Sequence, residues 1–333
     1  MAREANHSID EAHPAFQEFW KCYDAGASAQ DIHGVGQNGY GKPYRVKAET
    51  IAEKIKRRQR VLREFSRMFQ HGKDLVEPLE SVFSWHGKRV LDFGCGTGAL
   101  SVPLAQHGAI VIGVDPALQS LKAVQWRRSY LDLPEHSVSV VKIGNSPPLP
   151  FADRSFDVVI INSVLEFIPL NREQYIRDWC RVLKVKGYLV ISTENGWFPR
   201  DYYTRMWLPR LRRRQAIKYN APYGASYLEI RKWIKSNGGS FKDISRKNHF
   251  NSIDKLTRRM ENPILGRALG ACNNLFKTGC RGIWVPSDVF MPYATFIFQK
   301  LEPLAEHPEI LEIFEWISVI FLCGLCALCV FDA

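Results

Sequence analysis

The feature that most constrains this chain is a rhythm of short apolar runs set apart by helix-length segments, beginning at Lys88. The runs are Arg89–Phe93, Ile110–Asp115, Val138–Ile143, Phe156–Ile161 and Tyr188–Ser192; between them Thr97–His107, Ala117–Tyr130 and Glu173–Leu183 read as helices. Strands that alternate with helices imply parallel βαβ units, because parallel neighbours need a long crossover between them. Runs that are apolar at every position, such as Val158-Val159-Ile160-Ile161, imply a sheet covered on both faces. The rhythm predicts a doubly wound α/β domain. With 333 residues, 46% hydrophobic and 24% charged, the chain can bury one large core or two modest ones.

Outside this rhythm the chain reads differently. Residues 1–86 are expected to form an N-terminal helical segment, broken by Gly34, Gly36, Gly39 and Gly41. Its best periodic helix runs from Ala48 to Phe69, with Ile51, Ile55, Val61, Leu62, Phe65 and Phe69 near one face. Residues 87–197 form the core. Residues 198–291 read as an inserted lid or substrate region, rich in aromatic and basic side chains and interrupted by a strand at Ser240–Ser245. Residues 292–301 return as a final strand, Ala294–Lys300, and 302–333 form an acidic and then apolar tail.

The tail has no Lys or Arg after Lys300, yet carries Glu302, Glu306, Glu309, Glu312, Glu315 and Asp332. Its stretch Trp316–Phe331 is apolar all round, which suits a C-terminal helix in contact with a membrane through residues 310–331. Sixteen residues fall short of the roughly 20 that span a bilayer as a helix. Cys323, Cys326 and Cys329 read as small hydrophobic residues or acylation sites; a metal cluster would need a further ligand and a looped backbone, and no metal is expected. Eight cysteines are too sparse for a disulfide scaffold, and MAREANHSID contains no apolar signal run. The expected location is the cytoplasm, with membrane association through the tail.

The formal charge is +11, concentrated in two runs. One holds Lys54, Lys56, Arg57, Arg58, Arg60, Arg63 and Arg67; the other holds Arg205, Arg210, Arg212, Arg213, Arg214 and Lys218. Such runs are either solvated helix faces or attractors of anions, whether nucleic acid, lipid surface or phosphorylated substrate.

The strongest local signal is Val90-Leu91-Asp92-Phe93-Gly94-Cys95-Gly96-Thr97-Gly98, where the first strand gives way to a helix. Its glycines allow a tight turn and close approach of a ligand to the backbone. Seventeen residues after Gly98 the second strand ends in Gly113-Val114-Asp115-Pro116, where a carboxylate can accept hydrogen bonds from both ribose hydroxyls. Gly94, Gly96 and Ala99 also satisfy the dinucleotide pattern G-x-G-x-x-A, so a nicotinamide-dependent enzyme has to be weighed. Asp92 separates the two readings. A carboxylate in front of the glycines repels a pyrophosphate, whereas a ligand bearing an ammonium and a sulfonium is attracted.

These residues resemble the class I S-adenosylmethionine-dependent methyltransferases. Asp92–Gly98 looks like their first motif, and Gly113-Val114-Asp115 like the acidic motif that follows. Ile143-Gly144-Asn145, Leu149-Pro150-Phe151-Ala152-Asp153 and Ser155-Phe156-Asp157-Val158-Val159 are similar to the G-D…LPF-x-D-x-SFD-x-V run of the small-molecule, type 11-like branch. Arg181-Val182-Leu183-Lys184 with Gly187-Tyr188-Leu189 resembles that branch's approach to its fifth strand. The resemblance covers residues 88–195. It implies a Rossmann-like seven-stranded sheet with an antiparallel last strand and S-adenosyl-L-methionine as cofactor. The implied cofactor residues are Asp92, Gly94, Cys95, Gly96, Gly98, Asp115, Pro116, Asn145, Ser146 and Asn162. Asn145 stands where the family has Asp; its amide oxygen can still accept from an adenine amino group. Val185 and Lys186 replace the usual Pro-Gly turn.

Methyl transfer from a sulfonium is an in-line displacement, so a base is needed only where the acceptor must lose a proton. Asn162-Ser163-Val164-Leu165-Glu166-Phe167-Ile168 follows the fourth strand, with Phe167 where some relatives carry a His. Glu166 is the candidate catalytic base, set against a structural hydrogen-bonding role, since an unpaired buried carboxylate is costly. His33, Tyr40, Tyr44, Tyr202 and Tyr203 are candidates for a lid. Asn145-Ser146-Pro147-Pro148 imitates the motif of enzymes that methylate base amino groups, but follows the third strand instead of the fourth.

The expected reaction is methyl transfer to a small or medium O- or C-acceptor: a saccharide, a quinone-like aromatic or a lipid-linked molecule. The competing readings are an RNA methyltransferase using the basic runs, although no recognisable RNA-binding motif is present, and a non-catalytic binding protein that kept the fold.

Overall fold

The structure is a computed structural model, and it describes residues 14, 17, 51–52, 55–56, 58–59, 72–144, 146–168, 170–196, 223–237, 240–245, 263–282 and 293–302. A helical stretch over 72–79 (α1) leads into β1 (Arg89–Phe93), α2 (Ser101–Gln106), β2 (Ile110–Asp115), α3 (Leu118–Tyr130) and β3 (Val138–Lys142). Then come β4 (Phe156–Asn162), α4 (Arg172–Val182), β5 (Leu183–Glu194), α5 (Tyr227–Ser236), β6 (Phe241–Asp243), α6 (Pro263–Gly282) and β7 (Tyr293–Lys300).

The strands form a seven-stranded sheet in the order β3-β2-β1-β4-β5-β7-β6. Contacts among β1 to β5 are parallel, and β7 runs antiparallel between β5 and β6. The chain order reverses between β1 and β4, so the loops after these two strands diverge and leave a crevice at their carboxyl ends, where open α/β sheets bind ligands.

Both faces of the sheet are covered, as the uninterrupted apolar strands require. Leu91, Val159, Ile161, Leu189, Ile191 and Phe296 face one core with Ile176 and Trp179 of α4 and Ile230 and Ile234 of α5. Their neighbours Val90, Val158, Ile160, Val190 and Ile297 face the other, with Leu104 of α2, Leu121 and Val124 of α3, and Leu75, Val76 and Leu79 of α1. Alternate residues point to opposite faces of a strand, so each of these strands feeds both cores.

Several expectations are corrected. Residues 72–86 belong to the core: Leu79 and Trp85 are fully buried, and the Trp85 indole N–H donates to the Val76 carbonyl at 3.1 Å. Ile51 and Ile55 lie at helical positions and are 81% and 53% exposed; Val61, Leu62, Phe65 and Phe69 lie outside the described residues. The helix expected from Thr97 begins only at Ser101, because Gly96 and Gly98 hold positive φ and keep residues 96–100 in turns. The stretch read as one insertion is divided. Within it α5 packs into the core and β6 pairs with β7, so the βα rhythm continues through residues 227–243. α5 opens with a reciprocal cap, Ser226 accepting from the Glu229 N–H while the Glu229 carboxylate accepts from the Ser226 N–H.

β5 begins five residues earlier than the apolar run, at Leu183. Its register with β4 jumps from Phe156↔Leu183 to Val158↔Tyr188. The residues that replace the Pro-Gly turn bulge there, with Lys186 at φ +63°. Residue 145, the lid candidates His33, Tyr40, Tyr44, Tyr202 and Tyr203, and the tail from residue 303 with Cys323, Cys326 and Cys329 lie outside the described residues. Among the described residues no helix is long and apolar enough to cross a membrane.

Candidate functional site

The glycine loop leaves β1 at the switch point of the sheet and is laced to β2. The N–H groups of Gly94 and Cys95 both donate to the Val114 carbonyl, at 2.8 and 3.0 Å. Gly94 has φ +71°, and any Cβ there would overlap the methyls of Val164. The loop after β4 thus lies directly against the loop after β1. Gly96 also has positive φ, at +50°, but a Cβ there would meet none of the described residues within 4 Å. Gly94 is needed for protein packing, and Gly96 borders open space.

Two carboxylates flank this cradle. Asp92, at 2% exposure, accepts a 2.5 Å hydrogen bond from the Ser101 hydroxyl. Burial pushes its pKa up to about 7; the Ser101 bond opposes the shift and the nearby Asp115 charge adds to it. Asp115 is also buried, and burial raises its pKa against the lowering effect of two backbone donors. One of its oxygens accepts from the Ala117 N–H at 2.8 Å and the other from the Gly96 N–H at 3.0 Å. Each carboxylate oxygen has a second lone pair, so two hydroxyls of a ligand can still be accepted. The Ile143 N–H reaches the Asp115 carbonyl at 3.3 Å, bringing the end of β3 to the same place.

Other expected site residues divide between packing and the rim. Cys95 is buried, and burial pushes its thiol well up, so only its backbone is offered to a ligand. Its sulfur lies 2.9 Å from where a Cβ on Gly113 would sit, which is why β2 carries glycine there. Pro116 is half-buried at the turn after β2, Asn162 is half-buried at the end of β4, and Ser146 is exposed. Gly98 has φ +79°, and its N–H closes the loop onto the Cys95 carbonyl at 2.9 Å.

Glu166 is fully buried beneath the site. Its oxygens accept from the Thr193 hydroxyl at 3.0 Å and the Glu194 N–H at 3.4 Å. Burial raises its pKa, opposed by these hydrogen bonds and by the charge of Arg172. Arg172 donates to the Tyr223 carbonyl at 2.7 Å and lies 3.6 Å over the Tyr223 ring. The Tyr223 N–H in turn donates to the Glu166 carbonyl at 3.1 Å. This network ties Glu166, Arg172 and Tyr223 to one another and to the end of β5, and it hydrogen-bonds both Glu166 carboxylate oxygens.

Two motifs are also architectural. Arg181 donates to Asp178 and Asp153, and to the carbonyls of Phe151 and Leu149, while Asp178 accepts from the Leu149 N–H. Together they pin Leu149–Asp153 to α4. Asp157 accepts from the Arg89 N–H at 2.9 Å and from Lys184 at 3.0 Å. Its partial burial would raise its pKa, but these partners hold it below the usual range. Sequence reasoning gave no separate role to Ser101, Thr97, Gly113 and Val164. Thr97, Gly113 and Val164 carried a signal by their places inside the quoted motifs, and Ser101 carried none.

The cradle can be tested against a ligand by what it leaves unfilled. Thr97 Oγ1 is buried and has no hydrogen-bond partner among the described residues. Gly96 borders empty space, and the two buried carboxylates favour a cation that also carries hydroxyls. S-adenosylmethionine, with an ammonium, a sulfonium and a ribose diol, meets all three conditions. Among the described residues, no group of three or more His, Cys, Asp or Glu is placed to hold a metal.

The sheet and this loop are similar to those of the class I, S-adenosylmethionine-dependent methyltransferases, and the family model described as "Methyltransferase domain" matches residues 91–191. The chain is 32% identical over 109 residues to the mitochondrial ubiquinone biosynthesis O-methyltransferase of Homo sapiens, covering 33% of this chain and 29% of that protein. It is 35% identical over 130 residues to the ubiquinone biosynthesis O-methyltransferase of Azorhizobium caulinodans, covering 39% and 47%. This chain therefore spans less than half the length of these relatives. An S-adenosylmethionine dependent methyltransferase from Mesorhizobium loti aligns in structure over 68% of this chain and 97% of its own, at TM-score 0.46 and 16% identity.

Proposed function

We propose that this protein transfers a methyl group from S-adenosylmethionine to a small or medium molecule, with an oxygen on a quinone-like ring as the favoured acceptor. The observation that carries the transfer chemistry is the pair of buried acids, Asp92 and Asp115, on either side of a glycine that borders open space. The bound sulfonium supplies an already activated methyl group. The protein's work is to hold the two reactants in line and to exclude water. Asp92 holds the ammonium end and Asp115 the ribose hydroxyls. The backbone of Gly94, Cys95, Gly96 and Gly98 borders the ligand, with Pro116, Asn145, Ser146 and Asn162 around the adenine and the methyl-facing rim. Glu166 keeps the loop after β4 in place through Thr193 and Glu194.

The quinone-like acceptor rests on the names of the relatives. Residues 1–71 and the parts of 197–292 outside α5 and β6 are proposed to cover the acceptor. Contact of the apolar tail with a membrane would suit an acceptor carried in lipid.

The test is calorimetric titration with S-adenosylhomocysteine. Wild type is expected to bind one equivalent, and Asp115→Ala to bind at least about tenfold more weakly, as for loss of charge-assisted hydrogen bonds to a diol. Failure to bind this ligand, combined with tight binding of a nicotinamide dinucleotide, would overturn the reading. Labelled methyl transfer to phenolic quinone precursors, compared with saccharides, then tests the acceptor.

A further inference from the structure

The outer side of α5 carries a shallow groove lined by Leu228, Arg231, Lys232, Lys235 and Ser236. Leu228 is 51% exposed, and the three cations are exposed beside it. Tyr227, on the same helix, feels the charges of both Arg231 and Asp243, and its hydroxyl donates to Asp243. Glu173 accepts from Ser236 at the far end of the groove. The balance remains positive. A surface that pairs an exposed leucine with clustered cations is matched by a segment that is both acidic and apolar.

Such a segment leaves the sheet next to this helix. Lys300, the last residue of β7, pairs with Phe241, the first of β6. The Leu301 N–H then donates to the Ser240 carbonyl at 2.7 Å, only four residues beyond the end of α5. Lys186 holds Glu302 at 2.7 Å at the same end of the sheet. Past that point the sequence sets Glu306, Glu309, Glu312 and Glu315 every third residue, among Leu304, Ile310, Leu311, Ile313 and Phe314, with no Lys or Arg.

We propose that residues 303–315 of this same chain dock in the α5 groove, their glutamates on Arg231, Lys232 and Lys235 and their apolar side chains on Leu228. Reach is not limiting: α5 is 10 residues, or about 15 Å, long, and five extended residues cover about as much. Attachment at residue 302 gives the segment an effective concentration on the order of millimolar, far above that of a second molecule. Docking uses the cations that an anionic membrane would otherwise take, so the two occupants exclude each other.

The test is zero-length carbodiimide cross-linking of the full chain, read by mass spectrometry on a mixture of light and heavy isotopic protein. The expected product joins Lys232 or Lys235 to Glu306, Glu309 or Glu312 within one chain. Lys232→Glu with Lys235→Glu lowers its yield about tenfold, as does Glu306→Lys with Glu309→Lys and Glu312→Lys. The combined reversal restores it, which separates lost pairing from lost folding. Absence of the product in wild type, or a product that joins light to heavy copies, overturns the proposal. Sedimentation with phosphatidylcholine–phosphatidylglycerol vesicles supplies the other arm. The tail reversal is expected to raise vesicle binding by freeing the groove. Vesicle binding that the α5 reversal weakens but the tail reversal leaves unchanged assigns the groove to a membrane and overturns docking.

Discussion

Asp92 is held at about neutral pKa in a site proposed to favour a cation, and this couples ligand binding to protons. Below about pH 7 its carboxyl is protonated, and a bound ammonium has to displace that proton. Affinity for S-adenosylhomocysteine is therefore expected to rise about tenfold per pH unit as pH approaches 7 from below, then level off. Calorimetry in buffers of different ionisation enthalpy reads the released proton, and Asp92→Asn should abolish the release. Without ligand the same shift acts on stability in the opposite sense to a salt-bridged Asp. The folded pKa lies above the unfolded value of 3.8, so between pH 4 and 7 the unfolded state loses its proton first and stability falls. Denaturant titration should find Asp92→Asn gaining on wild type across that window, by an amount on the order of 4 kcal/mol, and gaining no more above it.

Gly94 and Gly96 should separate packing from the proposed binding. Gly94→Ala places a methyl against Val164 at positive φ and is expected to destabilise the fold by about 3 kcal/mol, partly recovered by Val164→Ala. Gly96→Ala meets no atom of the described residues, so its cost should be about 1 kcal/mol of backbone strain while ligand affinity falls much further. Thermal unfolding and ligand titration on the same samples distinguish the two. Equal losses in both measurements would mean that Gly96 does not border the ligand.

Among the elements, the segment Leu149–Asp153 has little secondary structure and is held by two side chains of α4, Arg181 and Asp178. Arg181 contacts Asp178, Asp153 and the carbonyls of Leu149 and Phe151, and its side chain is 29% exposed. Removing it leaves Asp178, whose side chain is 7% exposed, without that cation. Arg181→Ala is expected to destabilise by about 2–3 kcal/mol, and Arg181→Lys to recover little, because an ammonium cannot fork to several acceptors. Hydrogen exchange should report the loosening first at residues 149–153. The Asp157–Lys184 pair ties β4 to the bulge of β5 in the same manner. Both pairs come from motifs that read in the sequence as signatures, and in the fold they are fastenings.

For the whole molecule, a ligand bound only by the folded state stabilises it by mass action. S-adenosylhomocysteine at about 100 times the wild-type Kd should add about 2.7 kcal/mol to wild type and about 1.4 kcal/mol to an Asp115→Ala variant that binds about tenfold more weakly. A shift of the melting temperature in wild type, roughly halved in the variant, is the check.

The strands were legible in the sequence because burial on both faces leaves no room for polar residues: β1 and β2 begin and end where their apolar runs do. The glycines of the loop were legible for a related reason, since positive φ and close packing select glycine at 94, 96 and 98. Local sequence could not show what depends on partners distant along the chain. Ser101 meets Asp92 only when the loop closes, Val164 meets Gly94 only across the switch point, and Glu166 became a support only because Thr193 and Glu194 came to it. The same reason accounts for α5, which lay in a stretch read as an insertion until burial of Ile230 and Ile234 decided its place, whereas β6 falls within the strand expected at Ser240–Ser245. Residue chemistry and periodicity are local and can be read along the chain; which buried group answers which is settled by packing.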